Sequence, residues 1–261
     1  MVQNGIKFAI DGKFDDAIAY CTAAIELDPN LAGAYSRRAL AYHNKGDYLR
    51  AIADYNNAIG IDPGDPGNYS ARGGIYAENG EFDPAIIDYT KAIALDRTDG
   101  FAYFNRGNAY YHKERYREAI SDYTRAIGLG LKKALIYFSR GNAHYYSKVY
   151  DEAEADYTRA IELDGRDARA CRNRARAFCG KGDYVRAIAD YTRAIEIDPG
   201  NASLYDGRAG AYRNNGNHDE AEADRAKAIE LDPGYANASY NRAGAYYDDL
   251  PPRKRATAQS S

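Results

Sequence analysis

The sequence predicts an all-α solenoid of seven 34-residue helix-turn-helix repeats plus a C-terminal capping helix, and three observations carry that prediction. Alanine recurs at 17, 51, 85, 119, 153, 187 and 221, one every 34 residues. Ala-Ile pairs return in the same step, at 24–25, 58–59, 92–93, 126–127, 160–161, 194–195 and 228–229. Pro29, Pro63, Pro199 and Pro233 share a third register, in which Arg97, Leu131 and Gly165 stand in place of proline. Self-similarity at a fixed period of this length marks stacked supersecondary units.

Within each copy, two stretches with apolar residues at helical spacing are separated by a turn such as NKGD or KGDY and closed by DP or DPG. The boundaries that follow are 1–31 with a truncated first helix, then 32–65, 66–99, 100–133, 134–167, 168–201 and 202–235. A capping helix over 236–249 and a disordered basic tail over 250–261 complete the solenoid domain, 1–249, and its end. The abrupt start of the first copy leaves an open stack face, which favours a missing segment or pairing with another subunit. In the third copy Asp83 followed by Pro84 reads as an N-cap with proline at the first helical position. The fourth and fifth copies depart from the others: Glu114 and Lys148 replace the turn glycine, and AIGLGLKKAL replaces the acidic-proline exit. Small residues at Gly73, Gly107 and Gly141, facing Ala85, Ala119 and Ala153, would let paired helices approach closely with tyrosines around them. One hairpin cannot bury its apolar face alone, so stacking supplies the core.

Numbering the copies so that Ala39, Gly73, Gly107 and Gly141 fall at position 8 puts arginine at position 7, as Arg38, Arg72, Arg106, Arg140, Arg174, Arg208 and Arg242. Position 23 is Asp54, Asp88, Asp122, Asp156, Asp190 and Asp224. An unpaired buried charge is costly, so the two registers predict a partly buried Arg-Asp ladder. Pairing within a copy and pairing with the next copy are equally compatible with the sequence.

The copy YFNRGNAY followed by AISDY places Tyr103, Gly107, Tyr110, Ala119 and Tyr123 at signature positions, and on these the chain resembles the tetratricopeptide repeat (TPR) family, in the manner of its bacterial multi-repeat members. The resemblance runs from residue 1 to about 249. It implies a right-handed superhelix that acts as a non-catalytic scaffold. It also implies that first-helix positions 2, 5, 6, 9, 12 and 13 line a concave groove where partner peptides bind.

On those positions stand Phe101, Phe104, Asn105, Asn108, Tyr111, His112, Leu135, Phe138, Asn142, Tyr145, Tyr146, Arg169, Arg172, Asn173 and Arg176. Core packing requires none of the out-of-pattern rings, and a contiguous apolar patch marks a contact surface. The asparagines offer donors and an acceptor to a peptide backbone, similar to an asparagine ladder found in the family, although Ala71, Ser139 and Gly207 interrupt it. Arg169, Arg172 and Arg176, spaced three and four apart, share one helical face and suit an acidic side chain or terminal carboxylate. Arg174 belongs to the ladder register. The family's carboxylate clamp fits only at Asn108 and Arg169, with Phe104, Ser139 and Asn173 in its other places, so chaperone-tail binding is not expected.

Composition trims the alternatives. A net charge of −3 over 261 residues argues against a general polyanion binder. No apolar run approaches the roughly 18 residues of a membrane span, and the three cysteines have neither disulfide nor metal spacing, which fits the cytoplasm, or the periplasm if an N-terminal segment is missing. His43, His112, His144 and His218 are scattered with no catalytic pairing, so neither enzymatic activity, metal nor cofactor is expected. The function expected is protein or peptide binding, to a ligand with apolar and acidic groups. Single-stranded RNA binding in the groove and self-association through the solenoid ends are the alternatives.

Overall fold

A computed structural model of the chain describes residues 13–234, so the expected capping helix, the basic tail and the first twelve residues lie outside the described region. The chain divides between Ser147 and Lys148 into two compact units. The first holds α1 (Phe14–Leu27), α2 (Ala32–Asn44), α3 (Tyr48–Ile61), α4 (Pro66–Glu78), α5 (Phe82–Leu95), α6 (Gly100–His112), α7 (Tyr116–Gly128) and α8 (Ala134–Tyr146). The second holds α9 (Tyr150–Leu163), α10 (Ala168–Lys181), α11 (Tyr184–Ile197), α12 (Ala202–Asn215) and α13 (His218–Leu231). Among the described residues there is no strand.

Local chemistry sets the helix ends. Asp65, Asp99, Asp167 and Asn201 each accept a hydrogen bond from the backbone N–H two residues on, and Pro66 follows Asp65 at a position where its missing N–H costs nothing. One helix starts earlier than the sequence suggested. The residue preceding α5 is Glu81, not Asp83, so Pro84 sits in the third helical position. It is tolerated there because the first-turn N–H groups have no intrahelical acceptor.

Helices end in left-handed glycines at Gly46, Gly80, Gly182 and Gly216, with φ between 78° and 89°. Glu114 and Lys148 adopt the same conformation, with φ of 58° and 61°. The turns that the sequence read as lost are therefore kept, now by residues with a Cβ, at a strain of roughly 1–2 kcal/mol each.

Hairpins pair α2 with α3, α4 with α5 and α6 with α7, and each second helix also packs on the next first helix of the same unit. Tyr55, Tyr89 and Tyr123 fill the interior of the first unit, with exposures of 4%, 2% and 1%. Glycine makes room for them: a Cβ on Gly107 would lie 2.8 Å from the Tyr123 ring, and one on Gly73 would lie 3.2 Å from Tyr89. Burial pushes Tyr55 and Tyr89 up to about 12.

The charge ladder exists, and it pairs within the copy. Arg38, Arg72, Arg106, Arg174 and Arg208 each fork the aspartate sixteen residues on, through Nε and Nη2, at 2.6–2.8 Å. Each of these arginines also turns Nη1 backward to a side chain on the preceding second helix: Thr22, Asn56, Thr90, Thr158 and Thr192 in order. Arg140 makes the same backward bond to Thr124 at 3.0 Å. Hydrogen bonding to the aspartate keeps each forked guanidinium above its ordinary pKa despite burial. One side chain thereby ties three helices together.

Candidate functional site

In the first unit the first helices lie side by side, α4 against α6 and α6 against α8, and make a wall. On it, between α6 and α8, opens a cavity of about 300 Å³. Phe104, Asn108, Tyr111 and His112 of α6 line it with Leu135, Ser139 and Asn142 of α8, and Tyr123 of α7 reaches it from behind. None of these residues is a carboxylate, lysine or arginine. The cavity walls are aromatic and aliphatic, with amide, hydroxyl and imidazole groups at intervals.

Register explains the meeting. Phe104, Asn108, Tyr111 and His112 follow one another at three- and four-residue intervals, or next to them, along one stripe of α6. Phe104 tilts against Tyr123 with ring centroids 5.8 Å apart, and the Tyr123 hydroxyl donates to Asn108 Oδ1 at 2.8 Å. Burial raises the Tyr123 pKa far above the ordinary tyrosine value, helped by Tyr111 and Asp122, so the hydroxyl keeps its proton.

Beside the cavity the rings continue. Tyr111 packs edge-on against Tyr116 and Tyr146 at 5.6 and 6.0 Å, while Tyr116 and Tyr146 stack at 5.6 Å. Tyr145 meets Tyr146 edge-on at 5.4 Å, and His112 stacks on Phe82 at 4.7 Å. Phe101 and Leu135 are half open to solvent, with Lys133 Nζ 5.3 Å from the Phe101 ring centroid. Asn105 and Phe138 are half-buried and do not line the cavity.

The second unit treats its candidates differently. Arg169 forks Asp167, the residue that caps its own helix, with Nε and Nη2 both 3.0 Å from the carboxylate. Burial opposes ionisation of Asp167, but the hydrogen bonds from Arg169 and the backbone hold its carboxyl below the usual range. Arg172 and Arg176 are half-buried on α10, and Arg172 Nε lies 3.4 Å from Asn173 Oδ1. Asn173 is itself only 8% exposed. Its expected place on an open wall is therefore corrected: at position 6 of α10 it is buried.

Tyr123, Ser139 and Tyr116 belong to this region although the sequence did not single them out as site residues. Tyr123 and Tyr116 sit in recurrent core registers, so nothing in the pattern set them apart; Ser139 merely interrupted a run of asparagines. Among the described residues no group of three or more histidine, cysteine, aspartate or glutamate side chains could hold a metal ion. No helix there is long and apolar enough to cross a membrane. Burial raises the thiols of Cys21 and Cys171, and pushes Cys179 up to about 11.

Comparison with known proteins bears on the whole arrangement. A profile described as tetratricopeptide repeat matches residues 11–66 and 138–202, others so described match 101–129 and 190–223, and one described as TPR repeat matches 73–113. No curated protein matches significantly. Among solved structures, the C-terminal part of a TPR repeat-containing protein from Cytophaga hutchinsonii is 23% identical, with a TM-score of 0.74 over 89% of this chain and 96% of that one. YrrB, a TPR protein with an unusual peptide-binding site, is 24% identical, with a TM-score of 0.64 over 72% of this chain and 97% of that one. MamA is 27% identical, with a TM-score of 0.60 over 63% of this chain and 96% of that one. With its thirteen described helices, its 34-residue interval and these matches, the chain is an all-α helical solenoid and belongs to the tetratricopeptide repeat family.

Proposed function

We propose that the chain is a protein-interaction scaffold whose first unit holds an extended partner segment along the wall of α4, α6 and α8, with one apolar side chain of the partner seated between α6 and α8. Tetratricopeptide repeat proteins are generally non-catalytic scaffolds that bind protein or peptide partners. The observation that carries the finer reading is the 300 Å³ cavity, lined by Phe104, Tyr111, Leu135, Asn108, Ser139, Asn142 and His112, with no carboxylate, lysine or arginine among its lining residues. Its size is at the lower end for ligand sites, and its mixture of rings with a few polar groups is what such sites use. Phe101, Phe138, Tyr145 and Tyr146 extend the apolar footing beyond it, and Asn105 adds an amide. In the second unit Arg169, Arg172 and Arg176, spaced three and four apart on α10, bring positive charge to one helical face that suits an acidic side chain, with Arg169 also forking Asp167.

Phe104 is the anchor to test. Phe104→Ala is expected to weaken a bound peptide by about 2 kcal/mol, roughly thirtyfold, as truncation of a central aromatic does. The peptide would be selected on the wild-type protein from a displayed random dodecamer library, and affinities measured by calorimetry. Equal affinity for both proteins, with superimposable thermal melts, would refute this site.

A further inference from the structure

The contact between Tyr123 and Asn108 says more about the ligand than the shape of the cavity does. A tyrosine stands at the position of Tyr123 in other copies, as Tyr55 and Tyr89, but in the third copy Gly74 occupies the place of Asn108 and offers it no acceptor. In the fourth copy the hydroxyl lies 2.8 Å from Asn108 Oδ1. An asparagine amide could in principle be turned either way, since its oxygen and nitrogen are similar in size. Burial decides between them. Tyr123 is 1% exposed, and if Nδ2 faced it, its own O–H would be left inside the protein without an acceptor. With Oδ1 toward the hydroxyl, that proton is satisfied. Because the amide is planar, Nδ2 and its two hydrogens then occupy the other corner, and Asn108 lines the cavity.

We infer that Tyr123 is a positioning residue that fixes the Asn108 amide with its N–H donors toward the cavity, so that the site selects a neutral apolar side chain flanked by a hydrogen-bond acceptor, the main-chain carbonyl of the partner segment. This rests on the peptide-binding reading of the cavity. An acceptor fits the surroundings: the walls contain no carboxylate to repel a carbonyl, and no lysine or arginine that would instead favour a full anion. A fixed donor also spares the complex the ordering of a freely flipping amide, which is how pre-arranged groups gain affinity.

The experiment uses the full chain and the dodecamer selected on wild type. Tyr123→Phe removes only the hydroxyl and keeps the ring against Gly107, and Asn108→Ala removes the donor itself. Each is expected to weaken binding about fivefold, the size of one hydrogen bond, and the double variant is expected to lose no more than either single one. Addition of peptide should shift the side-chain amide resonances of Asn108 in wild type and leave them unmoved in Tyr123→Phe, a signature that a purely structural tyrosine would not produce. Binding weakened by Phe104→Ala but unchanged in Tyr123→Phe and Asn108→Ala would overturn the positioning role and leave the peptide site standing. Losses that simply add in the double variant would also overturn it. A library that yields no binder, or a binder indifferent to Phe104→Ala, would remove the peptide site and this inference together.

Discussion

Helices α4 and α6 occupy equivalent places in the first unit, and their arginines behave alike: Arg72 forks Asp88 at 2.7 and 2.8 Å, and Arg106 forks Asp122 at 2.7 and 2.8 Å. On the wall the two part company. Where α4 carries Gly67, Ser70, Gly74, Ala77 and Glu78, α6 carries Phe101, Phe104, Asn108, Tyr111 and His112. Behind both, a glycine leaves room for a buried tyrosine. The framework thus occupies one set of positions and the wall another, so rings and amides can be exchanged on the wall without touching the fork. The turns differ too, since α4 leads into Gly80 and α6 into Glu114 in the same left-handed backbone.

If framework and wall are separable in this way, the largest effect should come from the framework and be the same in both copies. Asp88→Ala and Asp122→Ala each leave a mostly buried guanidinium without its carboxylate, and each should cost about 3 kcal/mol, toward the low end for such losses because the arginines are 16–18% exposed. Urea denaturation of the two variants would show this. A difference between them of more than about 1 kcal/mol would mean that the wall contributes to the framework after all.

A somewhat smaller effect concerns the buried tyrosines. Burial puts Tyr89 at about 12, against about 10 for an exposed tyrosine, so the folded state binds its proton more tightly than the unfolded state does. The stabilisation is therefore complete below pH 10 and is lost as pH rises through about 12, amounting to about 2–3 kcal/mol for this one group. Tyr89→Phe should remove that share of the alkaline sensitivity, as followed by chemical denaturation between pH 9 and 12. Tyr123, which burial raises higher still, should keep its proton throughout the same series.

The fork positions were legible in the sequence, but the choice of partner was not. Each arginine precedes its own aspartate by sixteen residues and follows the previous copy's aspartate by eighteen, and a 34-residue period treats the two alike. Only the hairpin geometry, which lays position 7 against position 23, separates them. Fixed helical spacing let register bring Phe104, Asn108, Tyr111, His112, Leu135 and Asn142 to one cavity, whereas Asn105 and Phe138, taken from the same register, do not line it. Asn173 could not be placed from register, because how deeply a wall position sinks depends on its neighbours across the helix interface. Tyr123 went unremarked as a site residue for the opposite reason, since its recurrence marked it as core and concealed its hydroxyl. The start of α5 was misread because Asp-Pro is a strong helix-opening pair, and the proline proved equally compatible with the third position of the first turn.

The smallest effect tests the turns. Glu114→Gly should relieve the cost of a Cβ in a left-handed backbone and stabilise the protein by about 1 kcal/mol, while Gly80→Ala should destabilise it by a similar amount. Thermal melts of the pair would show opposite shifts. If Glu114→Gly instead left stability unchanged but altered peptide affinity, the line drawn between framework and wall would have to run through that turn.

The backward reach of each ladder arginine has a mechanical corollary. Since the same guanidinium is bolted to its own hairpin and to the one before it, pulling on a chain end loads a charged rivet set within the apolar seam. Such a joint is short-ranged: it should hold stiffly over a fraction of an ångström and then let go at once, where an oily contact would slide. An array built this way would resist small strains and shed whole hairpins under large ones.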